Sequence, residues 1–148
     1  MINYESVHAH LHVVYVHWGF LLTLQTMNKP KTTNEVNQTK ISKVQEYISR
    51  HYRDELPLSK LAEVASLAPT SLCHIYKAHT GSCLSQYINA VRIQHAKELL
   101  LSTDCSIKVV AFECGYSTLT NFNRQFLRHA GSTPTAWREK NIKDESYK

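Results

Sequence analysis

Turn-forming residues are scarce in this sequence, whose 148 residues include four glycines and four prolines. A protein of many short strands needs more turn positions than that, so helices are expected to carry the fold. The four cysteines, Cys73, Cys83, Cys105 and Cys114, form no C-x-x-C pair and no metal-ligand spacing, which removes zinc ribbons and thiol redox motifs. Cys73 and Cys83 fall within helical patterns and are expected to be small, mostly buried thiols in a reducing cytoplasm. A Gly-rich phosphate loop, a nucleophile elbow and paired carboxylates are also missing, so neither an enzyme nor a bound cofactor is expected. The apolar run Val13 to Leu24 is broken by His17 and too short to span a bilayer. No cationic segment precedes it, as a secretory signal would require.

Carboxylates are absent from two long windows: none occurs from Val64 to Lys97, and none from Cys114 to Arg138. Basic residues continue through both, as Lys77, Arg92 and Lys97 in the first and Arg124, Arg128 and Arg138 in the second. A surface that sits against phosphates excludes carboxylates, because each would be desolvated beside like charge. The formal net charge of +5 fits a polyanionic partner without requiring one. Chance clustering is the plainer account, weakened because each window surrounds a candidate recognition helix. A hydrophobic content of 43% argues for a packed chain over a disordered one.

The first 40 residues differ from the rest. His8, His10, His12 and His17 are crowded among Val, Leu and Tyr, and Val7 to Val13 alternates with the period of a strand. A helix over Trp18 to Met27 fits as well, and periodicity does not separate the two. Residues 1–27 read as an irregular N-terminal extension, and 28–40 (NKPKTTNEVNQTK) have the composition of a flexible linker. From Ile41 the period is helical, with Ile41, Val44, Ile48 and Tyr52 on one face up to a break at Asp54 to Pro57. A short helix holding Leu58, Leu61, Ala62 and Ala65 starts at Pro57, and a turn follows at Ser66 to Pro69. The next helix turns Leu72, Ile75 and Tyr76 inward and stops at Gly81. A linking helix over 83–101 carries Leu84, Tyr87, Ile88, Val91, Ala96, Leu99 and Leu100 as its apolar stripe.

That pattern then recurs. Ile107, Val110, Ala111 and Cys114 repeat the spacing of Leu58, Leu61, Ala62 and Ala65, while Phe122, Phe126 and Gly131 repeat that of Leu72, Tyr76 and Gly81. The second copy has one extra residue, in the turn Gly115 to Thr118. These matches make a short internal repeat. Thr133-Pro134 opens a last helix through Trp137 and Arg138, and 141–148 read as a tail.

Each copy, 57–81 and 106–131, is a short helix, a turn and a second helix. In a DNA-binding helix-turn-helix the second helix lies in the major groove and the first braces it. Small residues are needed where the two cross, and Ala62/Ala65 and Ala111/Cys114 supply them. Outward positions of the second helix must reach base edges. In the second copy these are Leu119, Thr120, Asn123 and Arg124, of which Arg and Asn suit bidentate contacts to guanine and adenine. In the first copy they are Thr70, Cys73 and His74, a poorer set for reading bases. Ser71, Lys77 and Arg128 suit phosphates. Arg92 is placed with them at the DNA backbone, with a salt bridge inside the long helix as an even alternative. The 19 positions of 83–101 would span roughly 28 Å at about 1.5 Å per residue. Successive major grooves on one face of DNA lie about 34 Å apart, so such a strut could serve both.

These residues resemble the AraC/XylS family of bacterial transcription regulators. The likeness is carried by LSKLAEVA (58–65), SLCHIYKAHTG (71–81), QYINAVRIQHAKELL (86–100), SIKVVAFECGYSTLTNFNRQF (106–126) and GSTPTAWR (131–138). It covers roughly residues 41–140 and implies an all-α, seven-helix, bipartite DNA-binding domain, usually of an activator that also touches RNA polymerase. Position by position, it implies base contacts at Thr70, Cys73, His74, Leu119, Thr120, Asn123 and Arg124. Three departures matter. Ala68 stands where the family commonly has Ser or Thr, removing a helix cap worth about 1 kcal/mol. His74 stands where Arg is common, so that contact is expected to be weak or pH-dependent. Leu127 replaces a common Lys and a backbone contact with it. The second unit is therefore expected to contribute more specificity.

Larger family members add a sensor and dimerisation domain that forty residues cannot build. The expectation is an effector-free member or a truncated copy, with truncation favoured by the composition of 1–27. The histidine cluster lacks a carboxylate or Cys beside it, so surface histidines without a role are the better reading than a zinc site. Tyr87, Phe122, Phe126 and Trp137 read as core, not as a base-stacking platform. The rival function is a truncated or degenerate member that acts as a protein-interaction module, which would not need the acid-free windows. The expected partner is double-stranded DNA in the cytoplasm, with no membrane. Oligomeric state is open.

Overall fold

The computed structural model describes residues 32–145. By contact the chain divides into Met1–Val36 and Asn37–Lys148, and the second unit is the one with a described core. Expectations for the histidines, the strand at Val7 to Val13 and the helix at Trp18 to Met27 lie outside the described residues. Among those described, seven helices and no strand occur: α1 (Thr33–His51), α2 (Leu58–Ala65), α3 (Pro69–Thr80), α4 (Leu84–Ser102), α5 (Ile107–Glu113), α6 (Leu119–Ala130) and α7 (Pro134–Glu145).

The stretch read as linker is helical from Thr33, because Thr32 and Glu35 form a reciprocal cap. The Thr32 amide donates to Glu35 Oε2 at 2.8 Å, and the Glu35 amide donates to Thr32 Oγ1 at 3.3 Å. Most of residues 33–40 are exposed, which is why no apolar period betrays the helix there. The tail is likewise helical as far as Glu145.

Two apolar cores form, one for each copy of the repeat. Ile41, Val44 and Ile48 of α1 pack with Leu61, Ala62, Ala65, Leu72, Tyr76 and Leu84. Ile93, Ala96 and Leu100 of α4 pack with Val110, Ala111, Cys114, Tyr116, Phe122 and Phe126. Helix α4 thus starts in one core and ends in the other. The aligned repeat positions Leu61/Val110, Ala62/Ala111, Ala65/Cys114, Leu72/Phe122 and Tyr76/Phe126 are all buried. Leu58 departs from the expected core, being 39% exposed.

The turns match as closely. Leu67 N donates to Ala62 O at 2.9 Å and Tyr116 N to Ala111 O at 3.1 Å, the same bond at equivalent positions of both copies. The residue before each donor is left-handed, Ser66 at φ 53° and Gly115 at φ 80°. The extra residue of the second copy therefore falls after this shared turn, ahead of the Thr118 cap.

Candidate nucleic-acid interface

Burial of Leu72 and Tyr76 fixes the rotation of α3, and Phe122 and Phe126 fix that of α6. At 3.6 residues per turn the intervening positions point outward. Accordingly Thr70, Ser71, Cys73, His74 and Lys77 are exposed on α3, and Leu119, Thr120, Asn123, Arg124 and Arg128 are exposed on α6. Ten of the eleven residues singled out in the sequence are thus exposed on two corresponding helix faces.

The exception is Arg92. Its Nε donates to Tyr52 O at 2.8 Å and its Nη2 to Asp54 O at 2.9 Å. The guanidinium also lies 5.5 Å from the centre of the Tyr116 ring. Burial lowers its pKa, with the Tyr116 side chain acting in the opposite sense. Neither the expected backbone contact nor the alternative salt bridge within α4 describes it. The arginine ties the turn that follows α1 to α4 through two backbone carbonyls of that turn. Arg138 does the same at the end of α4, its Nε donating to Leu100 O at 3.0 Å and its Nη2 to Cys105 O at 2.7 Å.

Around Arg92 the two halves of the unit are fastened together. The buried Tyr116 hydroxyl donates to Asn89 Oδ1 at 2.9 Å, and burial holds that phenol well above its ordinary pKa. Tyr52 stacks on His95 with ring centres 4.0 Å apart, and Arg53 pairs with Glu113 at 3.4 Å. Sequence reading missed Tyr116, since its partners are distant in the chain. It also missed Asn121, whose Oδ1 accepts from Arg124 Nη2 at 3.0 Å and sets that guanidinium's direction. Here the spacing of three on one helix was a usable signal.

The two helices that carry these exposed faces begin differently. Thr118 Oγ1 accepts from the Asn121 amide at 3.3 Å at the start of α6. Helix α3 starts at Ala68, with no side-chain cap. Cysteine placement differs from expectation, for Cys73, Cys83 and Cys105 are exposed and Cys114 alone is buried. Cys73 lies about 100° round the helix from Leu72, and Cys83 precedes α4, where its amide donates to Gln86 Oε1 at 3.0 Å.

Domains of this build occur in known proteins. A family model described as a helix-turn-helix domain matches residues 61–140. The chain belongs to the AraC/XylS family of helix-turn-helix regulators. An uncharacterized HTH-type transcriptional regulator of Staphylococcus aureus strain MSSA476 is 31% identical over 103 residues, which are 70% of this chain and 14% of that protein. The HTH-type transcriptional activator RhaS of Enterobacter sp. strain 638 is 29% identical over 71% of this chain and 38% of its own. The DNA-binding domain of AdpA, solved in complex with a target DNA, superposes with a TM-score of 0.64. It is 26% identical, over 68% of this chain and 90% of that domain. The chain therefore spans well under half the length of the curated relatives it matches. No described helix is long and apolar enough to cross a membrane.

Proposed function

We propose that this chain is a sequence-specific transcription regulator that inserts α3 and α6 into successive major grooves of double-stranded DNA. The observation that carries this reading is the exposure of polar and basic side chains on the corresponding faces of both helices, within windows that contain no carboxylate. Arg124, aligned by Asn121, suits guanine, Asn123 suits adenine, and Leu119 suits a thymine methyl. Thr120 completes that set, while Thr70, Cys73 and His74 form the weaker first set. Ser71, Lys77 and Arg128 contact phosphates, and Arg92 is removed from that group. AdpA supports the choice of DNA as partner, since its domain is solved on a target DNA. By likeness to RhaS, which is named as an activator, the regulation is activation, with RNA polymerase as the second partner.

The test is selection of binding sites from a random duplex pool, followed by affinity measurements on the selected site. Two sequence blocks about one helical turn apart are expected. Arg124→Ala should weaken specific binding by about 1–3 kcal/mol and relax one base position. His74→Ala should weaken it less. Failure to enrich any sequence would overturn the proposal, and a larger loss for His74→Ala would overturn the ranking of the two units.

A further inference from the structure

Beside the first recognition helix lies a groove of about 390 Å³ walled by Leu58, Leu84 and Ile88, with the thiols Cys73 and Cys83 and the cationic Lys77 among its lining residues. Both cysteines are exposed. Cys73 belongs at once to this groove and to the outward face of α3, between Thr70 and His74. A groove with these walls takes up apolar molecules by the ordinary gain from burying apolar surface. A thiol within it offers a nucleophile at the point where such a molecule comes to rest.

We infer that Cys73 is a modification site for small apolar electrophiles, of the class of α,β-unsaturated carbonyl compounds, held in this groove. In the reaction the Cys73 sulfur forms a bond to the β-carbon of the electrophile. The electron pair of the carbon–carbon double bond moves onto the carbonyl as an enolate, and the thiol proton ends on the α-carbon. Nothing is oxidised and no group leaves. The inference rests on the proposed function for its consequence, because an adduct at Cys73 would place bulk where α3 meets base edges.

Cys105 supplies an internal standard, being exposed in the segment between α4 and α5 and outside the groove. Cys114 supplies a second, since burial pushes its thiol up to about 11. The full chain is treated with N-cyclohexylmaleimide, and separately with the neutral, polar N-(2-hydroxyethyl)maleimide, and each thiol's labelling rate is followed by peptide mass spectrometry. Cys73 should react at least about tenfold faster than Cys105 with the cyclohexyl reagent, the factor that modest burial of apolar surface provides. That preference should vanish with the hydroxyethyl reagent, which is neutral and so gains nothing from the Lys77 ammonium beside the groove. Equal rates at Cys73 and Cys105 with the apolar reagent, or first reaction at Cys83, would overturn the site. Protein labelled at Cys73 should lose most of its affinity for the selected DNA, whereas the affinity of C73S protein, whatever its starting value, should be the same before and after the treatment. Selective labelling that leaves DNA binding intact would instead overturn the placing of α3 in the groove of DNA, so the two failures are distinct.

Discussion

At Gly115 a side chain is excluded twice over. Its φ of +80° is one that residues with a Cβ adopt reluctantly, and an added Cβ would lie 2.7 Å from Tyr52 O and 2.8 Å from Arg53 O. Gly81 and Gly131 share the left-handed conformation but face open space. Gly81→Ala and Gly131→Ala should each cost about 1 kcal/mol, and Gly115→Ala on the order of 3 kcal/mol or more. Urea denaturation of the three variants measures this directly, and equal losses would show that the approach of Tyr52 and Arg53 is easily relaxed. Cys114 gives a pH signature. Burial raises its thiol from near 9 to about 11, so the folded state keeps the neutral form. The unfolded chain ionises first, and stability contributed by this group should fall as pH rises from about 9 towards about 11. A Cys114→Ala variant should show a shallower decline over that interval. Sequence reading placed Cys114 and its alignment partner Ala65 correctly because small residues recur where helices cross. For Cys73 it held two expectations, a mostly buried thiol and an outward position on the second helix, and the rotation set by Leu72 and Tyr76 makes the outward one right.

Helix starts divide into those that can be read locally and those that cannot. Thr133-Pro134 was legible, and Thr133 Oγ1 does accept from the Ala136 amide at 3.3 Å. The start of α1 was obscured because the apolar signal begins only at Ile41, although T-x-x-E at Thr32 to Glu35 was in plain view. Helix α3 begins without a cap at Ala68, whereas α6 has one at Thr118. Ala68→Ser should therefore stabilise the protein by about 0.5–1 kcal/mol, read as a higher midpoint in thermal unfolding. An unchanged or lower midpoint would mean that Ala68 is held by packing in a way a hydroxyl disturbs. The long stripe of α4 was found for the same reason that its neighbours were, by period. Ile93 escaped that reading although it is 1% exposed, because the stripe shifts sides as α4 passes from the first core to the second.

For the molecule as a whole, the repeat told that two units exist, and local pattern carried no word of how they are joined. Arg92 meets Tyr52 and Asp54 across about forty positions of chain, and such pairings leave no periodic trace. The difference between Arg92 and Arg128 is measurable. Arg92→Gln should lower stability by about 1–3 kcal/mol, as expected for lost charged hydrogen bonds, and leave the salt dependence of DNA binding unaltered. Arg128→Gln should leave stability nearly unchanged and make the slope of log affinity against log salt shallower by about 0.9. A change of slope with Arg92→Gln would return that residue to the DNA backbone.

The fastening through Arg92, Tyr116 and Gly115 has a consequence for what counts as a binding site. Two reading heads on independent arms tolerate variable distances, since each finds its own sequence. Heads bolted to one rod measure phase. Under the proposed function, one base pair inserted between the two blocks turns the second away by about 34–36° and separates the pair. A full extra turn restores the angle but exceeds the rod. Such a protein is a gauge of helical repeat as well as a reader of bases, and its targets are defined by interval as strictly as by letter.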